Sequence, residues 1–340
     1  MPYRLLDLEQ QCKPFEPSTA RGICCTDFLQ GWLYNLPSLD FAGGGPVHQA
    51  SGWAALAYAF ILGKRANPNA HSRSHSKPHN TTLVFLGTVL IWFGWFGFNG
   101  GSELSTNVRA LLAAFNTNTA ASFGVIGWVV TDYIRTKGKF SVVGACSGAI
   151  AGLVGVTPAA GFVSIWLAGL IGFLTAVICA SLQDLNKWLH IDEGMDVFKL
   201  HGVGGICGSF FTGIFAQSWV SMLDGAADAP GGLDGNGIQV AKQLAEIAAI
   251  GAYSFTVTCI LLLILKYIPG MHLRVSEEAE MIGLDLDQFF DEQIGDWSMF
   301  EPHQIVEGTV ADMQGTSTPP HAGSSKEGLE LHSLEEITKH

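Results

Sequence analysis

Polar and apolar positions along this chain fall into long blocks, not into the short alternating periods of half-buried strands. Six stretches contain no Asp, Glu, Lys or Arg: 41–62, 81–102, 110–131, 140–183, 200–223 and 247–265. A helix needs roughly 20 predominantly apolar residues to cross the hydrocarbon of a bilayer. Five of the stretches are near that length, and the fourth is 44 residues long, too long for one crossing. Thr157-Pro158 divides it, since proline is tolerated in the first turn of a new helix. The pattern predicts an all-α polytopic membrane protein of about seven transmembrane helices.

The blocks between them are asymmetric. Lys64, Arg65, Arg73 and Lys77 follow the first span; Arg135, Lys137 and Lys139 follow the third; Lys187 and Lys199 follow the fifth; Lys266 and Arg274 follow the seventh. The alternate linkers carry only Arg109 and Lys242. Basic linkers stay in the cytoplasm, so the first span is entered from outside and the chain ends inside the cell. Linker 64–80 is polar, with Pro and Ser, and reads as a flexible loop. Its evenly spaced His71, His75 and His79 have no carboxylate or cysteine to support a metal, and no metal site is expected there.

Composition agrees with membrane residence. The chain is 48% hydrophobic and 14% charged, against about 25% charge in soluble domains. Its 41 glycines have no fixed period, and small residues let membrane helices approach closely. The net charge of −12 is local: residues 275–340 hold fifteen acidic and two basic side chains, residues 1–274 fifteen and sixteen. The acidity therefore belongs to a C-terminal tail, expected to be disordered beyond about residue 290, and specifies no substrate. No nucleic-acid partner is expected. Of seven cysteines, Cys146, Cys179, Cys207 and Cys259 sit in apolar runs, and Cys12, Cys24 and Cys25 in an irregular N-terminus; their spacing gives no disulfide or metal framework. The N-terminus lacks the apolar core of a signal peptide.

Two histidines lie within or at the edge of charge-free spans, His48 in FAGGGPVHQASGW and His201 in KLHGVGGICGSFF. An ionisable group inside a membrane is costly and marks a functional candidate, although a single one also fits a neutral histidine satisfied by a backbone carbonyl. Each follows an aspartate at the mouth of its helix, Asp40 eight residues before and Asp196 five before, and each precedes a glycine-rich stretch. The two helices run in opposite directions. Matching elements of opposite direction are what an inverted repeat produces. Asp40 and Asp196 also fit simple helix caps. The second span ends IWFGWFGFNGGSELS; its rings fit either an interfacial belt or a face for a cation, with Asn99 and Ser102 adding polar atoms.

At these residues the chain resembles the ammonium transporter family, the Amt/Mep/Rh superfamily. The matching runs are LDFAGGGPVH (39–48), WFGWFGFNGGS (92–102), GACSGAIAGLVGVTPAAGFV (144–163), DVFKLHGVGGICG (196–208) and LRVSEEAE (273–280), and the likeness is strongest to fungal members. The resemblance implies a fold of eleven helices, two inverted five-helix repeats and a last long helix, of which this chain matches the last seven. It implies a homotrimer in the plasma membrane with one pore per subunit, and ammonium or ammonia as substrate. It implies that His48 and His201 are the twin pore histidines, that Phe98 is the inner gate with Trp95 beside it at the entrance, that Ser102 belongs to the outer ammonium site, and that Asp40 supports that site; Asp196 is expected to be a supporting carboxylate from its position at the helix mouth alone. No cofactor, metal or catalytic residue is implied.

The domain boundaries follow: 1–30 outside the family pattern, 31–270 the transmembrane part, 271–340 a cytoplasmic acidic tail, family-like to about 290. Where the family has four helices ahead of the one bearing the first histidine, only about thirty residues precede the matching region. The chain is therefore expected to be truncated at its N-terminus and incomplete as a pore. Two other readings stay open. One is a non-transporting regulatory or sensor fragment that associates with full-length relatives. The other is a seven-span G-protein-coupled receptor, which has no use for paired intramembrane histidines. No nucleophile–base pair points to an enzyme.

Overall fold

The computed structural model of the protein describes residues 36–66, 80–225, 228–282 and 284–288. Cys12, Cys24, Cys25, His71, His75 and His79, the N-terminal domain 1–30 and the tail beyond residue 290 lie outside the described residues. The chain divides into Met1–Met281, which holds the helices discussed below, and Ile282–His340, described only at Ile282 and the short helix Leu284–Gln288.

Among the described residues the structure is helical, and seven helices reach twelve residues or more. They are α1 (Ala50–Leu62), α2 (Thr81–Gly101), α3 (Val108–Arg135), α4 (Val142–Val156), α5 (Ile165–Ser181), α6 (Gly204–Phe215) and α7 (Ile238–Tyr267). One falls in each predicted span. Three helices start on a polar side chain that accepts a free amide of the first turn: Asn80 from Leu83, Asn107 from Ala110 and Ser141 from Gly144.

By length and apolarity alone, three helices could cross a membrane: Thr81–Gly101, Val142–Ala159 and Ile238–Tyr267. Ile165–Ser181 is apolar but has 17 residues. Ala50–Leu62 has 13, and gains length only from the π-helical turn Gly44–Gln49 ahead of it. Val108–Arg135 is long but carries Asn116-Thr117-Asn118-Thr119 midway.

Two boundaries differ from the sequence expectation. Pro158 does not open the fifth helix. It lies in a 3-10 turn, Thr157–Ala159, that ends α4, and α5 begins at Ile165. A proline has no amide to continue the ladder, so it terminates here. The predicted span 200–223 also breaks: after Phe215 the chain bends by 100° into Ser218–Asp224. Gln217 holds the corner, its amide donating to the Phe162 carbonyl and its side-chain oxygen accepting from the Ser164 amide.

The helix ends sort into two sets. At one end Arg65 pairs with Asp192, Arg135 donates to the Ala180 carbonyl, Gln183 donates to Asp132, and Arg274 donates to the Leu62 carbonyl. Every linker predicted to be cytoplasmic and described here contributes to this set. At the other end the buried Arg109 donates to the Gly161 carbonyl at 2.8 Å and to Asp224 at 2.6 Å, with Glu103 3.6 Å away. Its guanidinium lies 5.2 Å from the Phe41 ring centroid and 4.8 Å from that of Phe162. A buried cation is tolerable when paired and bonded in this way.

Helix α4 is the innermost: 72% of Val142–Ala159 is buried, against two of 21 residues in Thr81–Gly101 and five of 30 in Ile238–Tyr267. Glycines on α3 and α4 face each other, with Gly124 lying on Gly148 and Gly152. Such close backbones gain dispersion contacts where lipid supplies no hydrophobic drive for helix pairing.

Candidate functional site

Each predicted histidine sits in a π-helical turn at the start of its helix, His48 in Gly44–Gln49 and His201 in Phe198–Val203. Single π-turns inside α-helices occur often at functional sites, because the extra residue re-aims a side chain. Both turns are tied down by a carboxylate eight residues before the histidine. Asp40 accepts the amides of Gly43, Gly44 and Gly45 at 2.7–2.8 Å. Glu193 accepts those of Val197 at 2.6 Å and Phe198 at 3.1 Å.

Glu193, not Asp196, is thus the counterpart of Asp40. Asp196, the carboxylate singled out in the sequence, binds Lys199 at 2.7 Å. The signal was present in the spacing: Glu193 lies eight residues before His201, as Asp40 lies eight before His48.

The two turns cross closely at two mirrored positions, each with a glycine on one side. Gly52, four residues after His48, lies on the backbone of Gly202, one residue after His201. Gly205, four after His201, lies on Gln49, one after His48. A β-carbon at either glycine would overlap its neighbour. The crossing is therefore a local two-fold, and it brings the rings together.

His48 Nδ1 lies 3.2 Å from His201 Nδ1, and His48 Nε2 lies 3.2 Å from Thr157 Oγ1. The protons follow from the partners. Thr157 donates its hydroxyl hydrogen to the Leu153 carbonyl at 2.8 Å, so its oxygen can only accept from the side chains around it. It accepts from Trp95 Nε1–H at 3.0 Å, and then from His48 Nε2–H. A neutral His48 protonated at Nε2 leaves Nδ1 bare, and His201 Nδ1–H donates to it. Thr157 was read in the sequence only as a helix break; its place as the shared acceptor has no sequence signal.

The aromatic residues close the site from α2. The Trp95 ring stacks on His48 at 5.1 Å and 18°, and Phe98 meets His48 edge-on at 5.9 Å. Trp95 and Phe98 are 5.6 Å apart and nearly perpendicular. His48, His201, Trp95 and Phe98 thus form one cluster. Ser102 lies apart from it, one turn beyond Phe98, where it donates to the Phe98 carbonyl at 2.7 Å. Asn99 is fully buried and donates to Thr117 on α3 at 2.9 Å. His48 is 3% exposed, while His201 is partly open. Among the described residues no group of His, Cys, Asp and Glu could hold a metal ion.

Residues 23–294 match the profile of the Ammonium Transporter Family. The chain is 48% identical over 257 residues to Ammonium transporter 1 of Schizosaccharomyces pombe, covering 75% of this chain and 51% of that protein. It is 46% identical over 298 residues to Ammonium transporter MEP2 of Saccharomyces cerevisiae, covering 86% and 58%. The crystal structure of Candida albicans Mep2 superposes with a TM-score of 0.71 at 49% identity, over 78% of this chain and 58% of that one. The chain spans between about half and three fifths of the length of these relatives.

Proposed function

The chain belongs to the ammonium transporter family, and from that premise we propose that it takes part in moving ammonium nitrogen across the plasma membrane through a pore containing His48 and His201. It is a multi-pass membrane protein, and its family consists of transporters, not enzymes. The receptor reading falls with the family assignment. We assign residues 31–270 to the transmembrane part and place the C-terminus in the cytoplasm. The family's homotrimer is the proposed assembly.

One observation carries the reading: a buried and a half-buried imidazole joined Nδ1 to Nδ1, with the Trp95 and Phe98 rings against His48. A bare ammonium ion is expensive to carry into an apolar channel. Ser102 and the aromatic face of Trp95 at the entrance replace part of its water shell, and Phe98 gates the way to the histidines. Neutral ammonia then passes the apolar walls. The proton is left behind or moves separately along the imidazole pair, and histidine is suited to this near neutral pH. Thr157 keeps His48 in the tautomer whose Nδ1 can accept from His201. A non-transporting sensor fragment has no need of such a pair, and nothing in the geometry favours it.

The test uses cells lacking their own ammonium transporters. They receive this chain, or C. albicans Mep2 with its matching segment replaced by that of this chain. Growth on limiting ammonium is expected from the graft and is expected to be lost when His48→Ala and His201→Ala are combined. Undiminished growth of a correctly assembled double variant removes both histidines from the mechanism.

A further inference from the structure

At the end of the helices that gathers the basic linkers there is a cavity of about 380 Å³. Trp128 and Asp132 of α3 line it, with Lys139 in the following linker and Asp196 and Lys199 ahead of α6. Lys199 is the unusual member. Its side chain is 4% exposed, yet it carries a full charge two residues before His201. Its Nζ lies 2.7 Å from Asp196 Oδ2 and 5.7 Å from the centroid of the Trp128 ring. Asp196 reaches it from a left-handed backbone conformation, φ 56°, which is uncommon outside glycine. Asp132, on the same wall, accepts a bond from Gln183 at 2.8 Å.

A carboxylate, an indole face and a second carboxylate are what a small primary ammonium ion needs once it has shed its water. The ε-ammonium of lysine is itself such an ion on a four-carbon tether. We propose that the wall of this cavity at Asp196 and Trp128 is a binding site for a small ammonium ion, ammonium or methylammonium, and that the Lys199 ammonium takes that place as a tethered substitute. The charges support this. Two carboxylates and two lysines line the space, so it is balanced with Lys199 in place and short of one cation without it. The space beside the pair is open to solvent, and the Asp196 side chain is 43% exposed, so a small cation can reach it. Tethering gives Lys199 an effective concentration in the millimolar range or above, so a free cation competes poorly and the site stays closed.

The choice of ammonium as ligand rests on the transport reading, but the site is tested without transport. The full chain is purified in detergent, and equilibrium binding of radiolabelled methylammonium is measured for the parent, Lys199→Gln and Lys199→Met. The methionine keeps the apolar stem over Trp128, so at least one variant retains the packing. Folding is checked by size exclusion. Both variants are expected to gain one saturable site per chain over the parent. Adding Asp196→Asn is expected to weaken that site by about tenfold or more, since it removes the charged partner. A folded variant that gains no site overturns the proposal, as does a gained site indifferent to Asp196→Asn. Loss of uptake in the histidine test has no bearing on this gain, so the two readings fail separately.

Discussion

Gln243 on α7 binds Leu39 as a neighbouring strand would: its Oε1 accepts the Leu39 amide at 2.7 Å, and its Nε2 donates to the Leu39 carbonyl at 2.8 Å. The two residues are 204 positions apart. Gln239 adds a bond to the Pro37 carbonyl at 3.1 Å, and Glu246, one turn on, accepts from Gln243 at 3.3 Å. The last long helix thus holds the segment that delivers Asp40, and through Asp40 the turn bearing His48. Gln243→Leu leaves both backbone groups of buried Leu39 without a partner, at about 1–3 kcal/mol for each unsatisfied group. A clear fall in the thermal midpoint of the detergent-solubilised protein is expected. A midpoint equal to the parent's shows that the clasp contributes nothing.

Thr157→Val keeps the shape of the side chain and deletes the acceptor shared by His48 and Trp95. Two buried N–H groups lose their partner and the His48 tautomer is no longer fixed. Methylammonium uptake by the grafted protein should drop by about tenfold, corresponding to about 1.4 kcal/mol, with assembly unchanged. Parental uptake would show that the hydroxyl does not orient the ring.

Burial pushes the Glu193 carboxyl above its usual range, and its bonds from Val197 and Phe198 draw it only part of the way back. An acid raised in the folded state supports the fold below its unfolded value, roughly pH 4.3, and that support is lost as pH rises through the folded value. Glu193→Gln removes the titration. The thermal midpoint of the variant minus that of the parent should therefore grow between pH 4 and pH 7. A difference constant across that range contradicts the assignment.

The two sets of helix ends fix an orientation test. Leu233, in the connection before α7, and Lys187, beside the linker that meets Arg135, are both exposed and belong to opposite ends. In intact cells Leu233→Cys should react with an impermeant thiol reagent over the background of the parent chain, and Lys187→Cys only after permeabilisation. The reverse pattern inverts the topology.

Much of this was legible in the residues. The charge-free blocks located all seven long helices because membrane crossing imposes a length and forbids charge over a whole segment. His48 and His201 were legible for the same reason, each being an ionisable group where none is cheap. Other features stayed hidden for physical reasons. Gln239, Gln243 and Glu246 read as part of a polar linker, because a polar run looks the same in a loop and on a buried helix face. Only the distant Leu39 distinguishes the two. Glu193 was not singled out, because which amides a carboxylate must reach is set by the π-turn, which sequence does not announce. Pro158 marked a break correctly but not on which side of it the new helix starts.

The glycine crossing has a further consequence. Where Gly52 meets Gly202, the gap between the two turns is set by main chain in contact with main chain. Rotamers relax and side chains drift with temperature, but a backbone seated on a backbone has almost no travel. The pair of imidazoles is mounted on a bearing with very little play. Selection can exchange a ring on this mount for another chemical group, and so alter what the pair transmits, but it has no gradual means of adjusting how far apart the two stand.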